Sequence, residues 1–286
     1  MDNGDEASKS THPESRELPS PPSYAVETRG LTRRFRDIVA VDHLNLSLAP
    51  GVVFGLLGPN GAGKSTLIKM LTTLLPPSGG TAFVGGYEIQ RQPKSVRRTI
   101  GYVSQMLSAD GDLTGYENLL ISAKLYGIPR AQRLIRIPRA LAFMELDGVA
   151  NKRVKHYSGG MIRRLEIAQS MLHRPAVLFL DEPTVGLDPA AKQAVWRRIR
   201  DLRQEMGTTI LMTTHDMEEA DRLCDRLALM HHGSLVIEGT PQELKARLGP
   251  AASLADVFLH YTGSSLAEEG AFRDVVQSRL TARRLG

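Results

Sequence analysis

Gly58-Pro59-Asn60-Gly61-Ala62-Gly63-Lys64-Ser65, followed by Thr66, is the segment of this chain best suited to chemistry. It satisfies the spacing G-x-x-x-x-G-K-[ST] in full. Glycines at those positions let successive backbone N–H groups turn toward one point and form a nest for an anion. A helix expected to open near Lys64 adds its positive dipole end, and the Lys64 ammonium reaches the β- and γ-phosphates of a nucleotide. The Ser65 hydroxyl is a candidate Mg²⁺ ligand.

Such a site needs an acidic partner at the end of a second strand. Ala176-Val177-Leu178-Phe179-Leu180 runs into Asp181-Glu182. At the carboxyl end of a parallel strand Asp181 is placed as the outer Mg²⁺ ligand. Glu182 is the candidate base that orients and deprotonates the attacking water. His215 follows the expected strand Thr208–Thr213 and reaches the same sheet edge, where its imidazole can bond a γ-phosphate. The acidic residues Asp216, Glu218, Glu219 and Asp221 beside His215 raise a metal site, but H-E-x-x-H spacing is absent and Cys224 falls on the apolar side with Leu223 and Leu227. Ser158-Gly159-Gly160 opens an amphipathic stretch, Met161–Leu172 (Ile162, Leu165, Ala168, Leu172). The free N–H groups of that helix start, with the Ser158 hydroxyl, form a second anion receptor.

These residues need a sheet edge to hold them together. Ile38–Leu48 alternates with period two and is ended by Pro50-Gly51; Val52–Leu57 is a continuous β-rich run, as in a strand covered on both faces. A helix is expected from Lys64 to about Leu74, stopped by Pro76-Pro77, and a strand over Thr99–Ser104. From Asp112 to Leu172 the pattern is helical, with Arg130, Arg133, Arg136 and Arg139 near one face, read as solvated. Strand Ala176–Leu180, helix Ala190–Met206, strand Thr208–Thr213 and helix Asp216–Arg226 then alternate, which argues a mostly parallel sheet with helices on both faces. Leu227–Met230 and Ser234–Glu238 flank a hairpin turn at His232-Gly233.

Composition sets the outer bounds. Over 286 residues, 42% hydrophobic and 23% charged, the usage is that of a globular chain. No apolar run approaches the roughly 18 residues of a membrane-spanning helix. A single cysteine, Cys224, excludes an internal disulfide and a cysteine-based zinc cage. The net charge of +5 selects no partner. Residues 1–22 are acidic, Ser/Pro-rich and expected to be a disordered tail.

Taken together, the glycine loop, Asp181-Glu182, His215 and Ser158-Gly159-Gly160 closely resemble the ATP-binding subunits of ABC transporters, over about Tyr24 to Leu248. Leu180-Asp181-Glu182-Pro183-Thr184, Gly186-Leu187-Asp188-Pro189 and Thr214-His215-Asp216 fit that family's Walker B, D-loop and switch histidine in order. The resemblance places Gln105 as the Q-loop glutamine, which also touches the metal, and Phe35 as the aromatic that stacks on adenine, a contact of typically ~1–3 kcal/mol. It adds Asp188 to the nucleotide contacts. Tyr157-Ser158-Gly159-Gly160-Met161 departs from the commonest signature; Met161, with Asp256-Val257-Phe258-Leu259-His260-Tyr261-Thr262-Gly263, is similar to daunorubicin-resistance exporters.

The resemblance implies a phosphate-loop NTPase (RecA-like) α/β core with a mostly parallel sheet, an N-terminal antiparallel β portion and a helical insert over about 106–172. The ATP-binding domain would span 23–248 and a C-terminal helical extension 249–286, with apolar positions Leu254, Val257, Phe258 and Tyr261, then Phe272, Val275, Val276 and Leu280. It implies ATP and Mg²⁺ as cofactors, and a homodimer in which Ser158 of one copy meets the γ-phosphate held by the other. A separate ABC-type membrane subunit would be the second partner, at the cytoplasmic face of a bacterial membrane, in drug or antibiotic efflux. No nucleic-acid partner is expected. The rivals are a soluble ABC-type ATPase acting on nucleic acid or ribosomes, which usually carries a coiled-coil insert or two fused cassettes, and a small-molecule phosphate-loop kinase.

Overall fold

The computed structural model describes residues 24–263; the expected tail and the positions from Phe272 onward lie outside the described residues. Strands β1 (Val26–Phe35), β2 (Ile38–Leu48), β4 (Gly79–Val84) and β5 (Tyr87–Glu88) form an antiparallel sheet in the order β2-β1-β4-β5. A second sheet holds β3 (Val53–Leu57), β6 (Ile100–Val103), β7 (Val177–Asp181), β8 (Thr209–Thr214), β9 (Arg226–His231) and β10 (Ser234–Gly239). Its order is β10-β9-β3-β8-β7-β6, parallel throughout except that β10 runs against β9.

Every residue of β3, β7 and β8 is buried, which explains the apolar stretches Val53–Leu57, Val177–Leu180 and Ile210–Met212 at their centres. Their side chains still divide by alternation. Phe54, Leu56, Phe179 and Leu211 join a core with α1 (Lys64–Leu71) and the antiparallel sheet. Leu57, Leu178, Leu180 and Met212 face the opposite core, which contains Leu165 of α5 (Gly159–Met171), Val195 and Ile199 of α6 (Pro189–Met206) and Phe258 of α9 (Leu254–Thr262). Helix α2 (Pro93–Thr99) precedes β6, α3 (Gly115–Leu125), α4 (Arg130–Phe143) and α5 lie between β6 and β7, and α8 (Pro241–Ala246) follows β10.

Register aligns the strand ends that matter. Leu57 pairs with Thr214, and Asp181 with Thr213, so β3, β7 and β8 all end at one edge. Ligands of open α/β sheets bind at that edge. The β9–β10 turn, with His232 and Gly233 both at positive φ, closes over it: Gly233 N donates to Ala62 O (3.0 Å) and Asp42 N to Gly233 O (2.9 Å).

Three local expectations need correction. The helix from Lys64 ends at Leu71, not Leu74, because Thr73 turns left-handed (φ 62°) and the N–H groups of Leu74 and Leu75 both return to Lys69 O. The helix after His215, α7 (Met217–Leu223), stops before Cys224. There the sheet outcompetes the helix: Asp225 N donates to Val53 O, Asp225 Oδ2 accepts from Val53 N, and Arg226 enters β9. The arginine face of α4 is not wholly solvated, since Arg136 Nη1 donates to Leu172 O (3.0 Å).

Candidate active site

The glycine loop joins β3 to α1 with little room to spare. Gly63 sits at φ 103°, and a Cβ there would fall 2.1 Å from Ala40 O. A Cβ on Gly58 would fall 2.2 Å from Met230 O. The loop is therefore set by close backbone approach to β2 and β9, and only glycine permits it. Lys64, the first residue of α1, is buried and donates through Nζ to Gly58 O (2.6 Å) and Pro59 O (2.9 Å), while Asn60 and Gly61 stand exposed. Thr66 is half-buried one residue beyond Ser65.

The strand ends converge on Asp181. Its Oδ1 accepts from Ser65 Oγ (3.0 Å) and from Thr213 Oγ1 (2.6 Å), so loop, β7 and β8 meet at one carboxylate oxygen. Thr213, fully buried, also accepts from Glu182 N (2.9 Å) through the same hydroxyl. Glu182 adopts φ 49°, a left-handed conformation that costs a non-glycine residue about 1–3 kcal/mol and marks functional turns. Its carboxylate lies between two of the sequence candidates. Gln105 Nε2 donates to Glu182 Oε2 (3.1 Å), and His215 Nδ1 lies 3.4 Å from Glu182 Oε1. Tyr102 on β6 lies nearby; burial, then the Asp181 charge, pushes its phenol up to about 12.

A cavity of about 220 Å³ opens beside this cluster, lined by Glu182, Leu187, Lys192, His215, Asp216 and Glu219. Asp216 caps α7, accepting from the N–H groups of Glu218 and Glu219, and pairs with Lys192. Burial alone would raise its carboxyl, but the Lys192 hydrogen bond, the two backbone donors and the Lys192 charge together hold it below its ordinary value. Glu219 accepts at Oε1 from Thr184 Oγ1 (2.7 Å) and Trp196 Nε1 (2.8 Å); burial raises its carboxyl despite those donors. A larger cavity, about 690 Å³, lies between α4, α5 and α6 and contains none of the candidate residues.

The remaining candidates sit elsewhere. Phe35 is 41% exposed, with the Arg33 guanidinium 4.5 Å over its ring. Ser158 caps α5, accepting from Met161 N (3.3 Å), and with Gly159 stands exposed. A Cβ on Gly159 would lie 3.3 Å from Leu187, just before α6, and one on Gly160 would lie 2.6 Å from Ala191 in its first turn. Asp188 is exposed, and its carboxylate caps α6 through Ala190 N and Ala191 N. Sequence reasoning missed Thr213, Thr184, Trp196 and Lys192, whose partners are distant in the chain. Among the described residues no group of three or more His, Cys, Asp or Glu could hold a metal, and Cys224 is buried with its thiol raised by burial.

A parallel α/β sheet whose edge joins a glycine loop, a helix start and an acidic strand end defines a phosphate-loop nucleoside triphosphatase. Residues 41–185 match the family model described as ABC transporter. The chain is 47% identical over 228 residues to the daunorubicin/doxorubicin resistance ATP-binding protein DrrA of Streptomyces peucetius, covering 80% of this chain and 69% of that one. It is 43% identical to Nod factor export ATP-binding protein I of Paraburkholderia xenovorans, over 79% of this chain and 74% of the relative. A solved structure, the dimeric ATP-binding cassette MJ0796 in a post-hydrolysis state bound to ADP and Pi, superposes with a TM-score of 0.67 at 25% identity, covering 75% and 98% of the two chains. The chain belongs to the ABC transporter family, as one of its ATP-binding, ATP-hydrolysing members.

Proposed function

We propose that two copies of this chain close around ATP and drive export through a separate membrane subunit. One observation carries the reading: the site is divided. Gln105, Glu182 and His215 converge beside Ser65 and Asp181, whereas the exposed helix start at Ser158 and Gly159 lies against α6 and is absent from that hydrogen-bond network. A second anion receptor that shares no hydrogen bond with its own phosphate loop has a use when another copy supplies the phosphate. The dimeric relative bound to ADP and Pi supports this.

In this reading the backbone N–H groups of the loop 58–66, all but Pro59, and the Lys64 ammonium hold the phosphates, and Phe35 stacks on adenine. Asp188 lies at the contact between copies. A hard cation suits oxygen donors, and Ser65 Oγ and Asp181 Oδ1, 3.0 Å apart, are such donors, with Gln105 beside them. They would hold Mg²⁺, which neutralises charge on the phosphate oxygens. Glu182 takes the proton of the attacking water, held in place by Gln105 and His215. ATP that binds the closed pair more tightly than the open pair shifts the population toward closure, and loss of the third phosphate releases it.

No helix among the described residues is long and apolar enough to cross a membrane; in this reading a separate membrane subunit supplies the path. The insert 106–172 exposes Met106 and Leu107, which follow Gln105 directly in the chain, apolar side chains suited to a helix of that partner. The folded domain then runs from 23 to 248, with 249–286 as its extension; the chain works at the cytoplasmic membrane face. The resistance and Nod-factor export relatives favour an amphipathic drug or antibiotic as cargo, with a lipo-oligosaccharide as the other class.

The test mixes two inactive variants. Glu182→Gln should bind ATP yet lose turnover by about 10²–10⁴, and Ser158→Asp should lose it by repelling phosphate. Mixed dimers contain one intact site, so activity should return on mixing. Absence of any return overturns the divided site, and rapid turnover by Glu182→Gln alone overturns the assignment of Glu182 as base.

A further inference from the structure

Helix α5 carries two charged side chains that the site chemistry does not use. Arg163 and Glu166, one turn apart, are 2% and 5% exposed, and Arg163 is the bulkiest side chain so enclosed. Burying charges costs desolvation that their attraction repays only with further hydrogen bonds. Here those bonds go to a single short loop. Arg163 Nη1 donates to Ser104 O (2.6 Å) and Nη2 to Gln105 O (2.8 Å). Glu166 Oε1 accepts from Ser108 N and from Ser108 Oγ (3.1 Å), and Arg163 Nη1 lies 3.1 Å from Glu166 Oε2.

Residues 104, 105 and 108 are thus fastened by their backbones to one face of α5. A guanidinium is a rigid fork, so donating to two successive carbonyls fixes the loop's orientation as well as its distance. The same helix begins at Ser158, the exposed receptor. At the other end of the linkage, Gln105 Nε2 touches Glu182.

We propose that Arg163 and Glu166 are positioning residues that lock Gln105 to α5, so that phosphate captured by Ser158–Gly160 from a second copy sets Gln105 against Glu182 of this chain. Each site then responds to nucleotide in the other. The inference rests on the roles proposed above for Gln105 and Ser158. It differs from simple stabilisation in a measurable way, because replacing a buried ion pair by apolar residues of similar size is often neutral for folding.

The experiment uses the full chain with Arg163→Met/Glu166→Leu together, and Arg163→Lys alone. Melting temperature, Mg-ATP affinity in the Glu182→Gln background, kcat, KM, the Hill coefficient for ATP and amide exchange at Ser108 are measured. The double variant should melt near the parent and bind ATP within about threefold. Its kcat should fall about tenfold or more with KM little changed, its cooperativity should vanish, and Ser108 exchange should rise about tenfold or more, as expected for loss of bonds to charged groups. Arg163→Lys, a point charge without the fork, should fall between. The proposal is overturned by kcat and cooperativity within twofold of the parent, or by a kcat loss that merely tracks lost ATP affinity and lost fold. An inert parent would instead sink the ATPase reading, while Ser108 exchange, which needs no turnover, would still judge the clamp.

Discussion

Replacing Thr213 by Val removes one hydroxyl and little else, since both residues are β-branched and suit β8. That hydroxyl is fully buried; it donates to Asp181 Oδ1 at 2.6 Å and accepts from Glu182 N at 2.9 Å. Neither partner is orphaned by the change, because Asp181 keeps Ser65 Oγ and Glu182 N keeps Thr213 O at 3.2 Å. The loss is therefore close to one charge-assisted hydrogen bond, about 2 kcal/mol. For a domain of this size that lowers the melting temperature by about 4–8 °C. The bond also sets Asp181 and Glu182 in register with each other. Where its full value acts on the transition state, kcat falls about thirtyfold. Calorimetry and Mg-ATPase at saturating ATP, well below melting, separate the two effects. A melting shift of this size with kcat within twofold of the parent would show that the hydroxyl serves folding alone. No melting shift would refute the hydrogen-bond reading itself.

Glu219→Gln keeps an oxygen acceptor for Thr184 and Trp196 without the charge. The folded value of Glu219 is raised by burial, so its favourable contribution is present below its ordinary value of 4.5 and is lost as pH rises through the folded value. The variant should match or exceed the parent's melting temperature at pH 7–8; a lower one contradicts this sign. Asp216 has the opposite sign: its depressed value contributes stability above its ordinary value of 3.8 and loses it as pH falls through the folded value. Asp216→Asn should therefore show a flatter acid limb in a melting-versus-pH series, and an unchanged limb refutes the assignment. Cys224 is buried with its thiol raised, so a thiol reagent should react only at the rate of unfolding. Fast labelling of the native chain would show that the region between α7 and β9 opens.

The phosphate loop was legible because chemistry constrains each of its positions locally: two glycines that admit no Cβ, a lysine and a hydroxyl within eight residues. The buried strands β3, β7 and β8 were legible for a similar reason, since each carries an apolar stretch covered on both faces (Val53–Leu57, Val177–Leu180, Ile210–Met212) with its polar residues confined to the strand ends. The partners that hold the site were not. Thr213 lies 32 residues from Asp181, Glu219 lies 23 from Trp196, and Arg163 lies 59 from Ser104. No periodicity links such pairs. Strand β1 pairs with β2 through several register shifts, which break the alternation that would have revealed it. The end of α7 was overestimated because its stop signal is a tertiary contact, Asp225 with Val53, and not a local breaker.

Several carboxylates lie near this sheet edge, and their partners decide which one serves a metal. Asp216 is held by Lys192, so its charge is already matched. Glu219 is buried under Thr184 and Trp196, and burial favours its protonated form. Asp181 receives its hydrogen bonds from two neutral hydroxyls, Ser65 and Thr213. The nearby Arg163 donates to Ser104 O and Gln105 O and has its charge matched by Glu166. Hydroxyl donors orient a carboxylate without cancelling its charge, and the Ser65 oxygen can turn from donor to ligand. Of the three, Asp181 alone is both fixed in place and electrostatically suited to a divalent cation, which is why Asp181→Asn should weaken Mg²⁺-dependent nucleotide binding far more than Asp216→Asn.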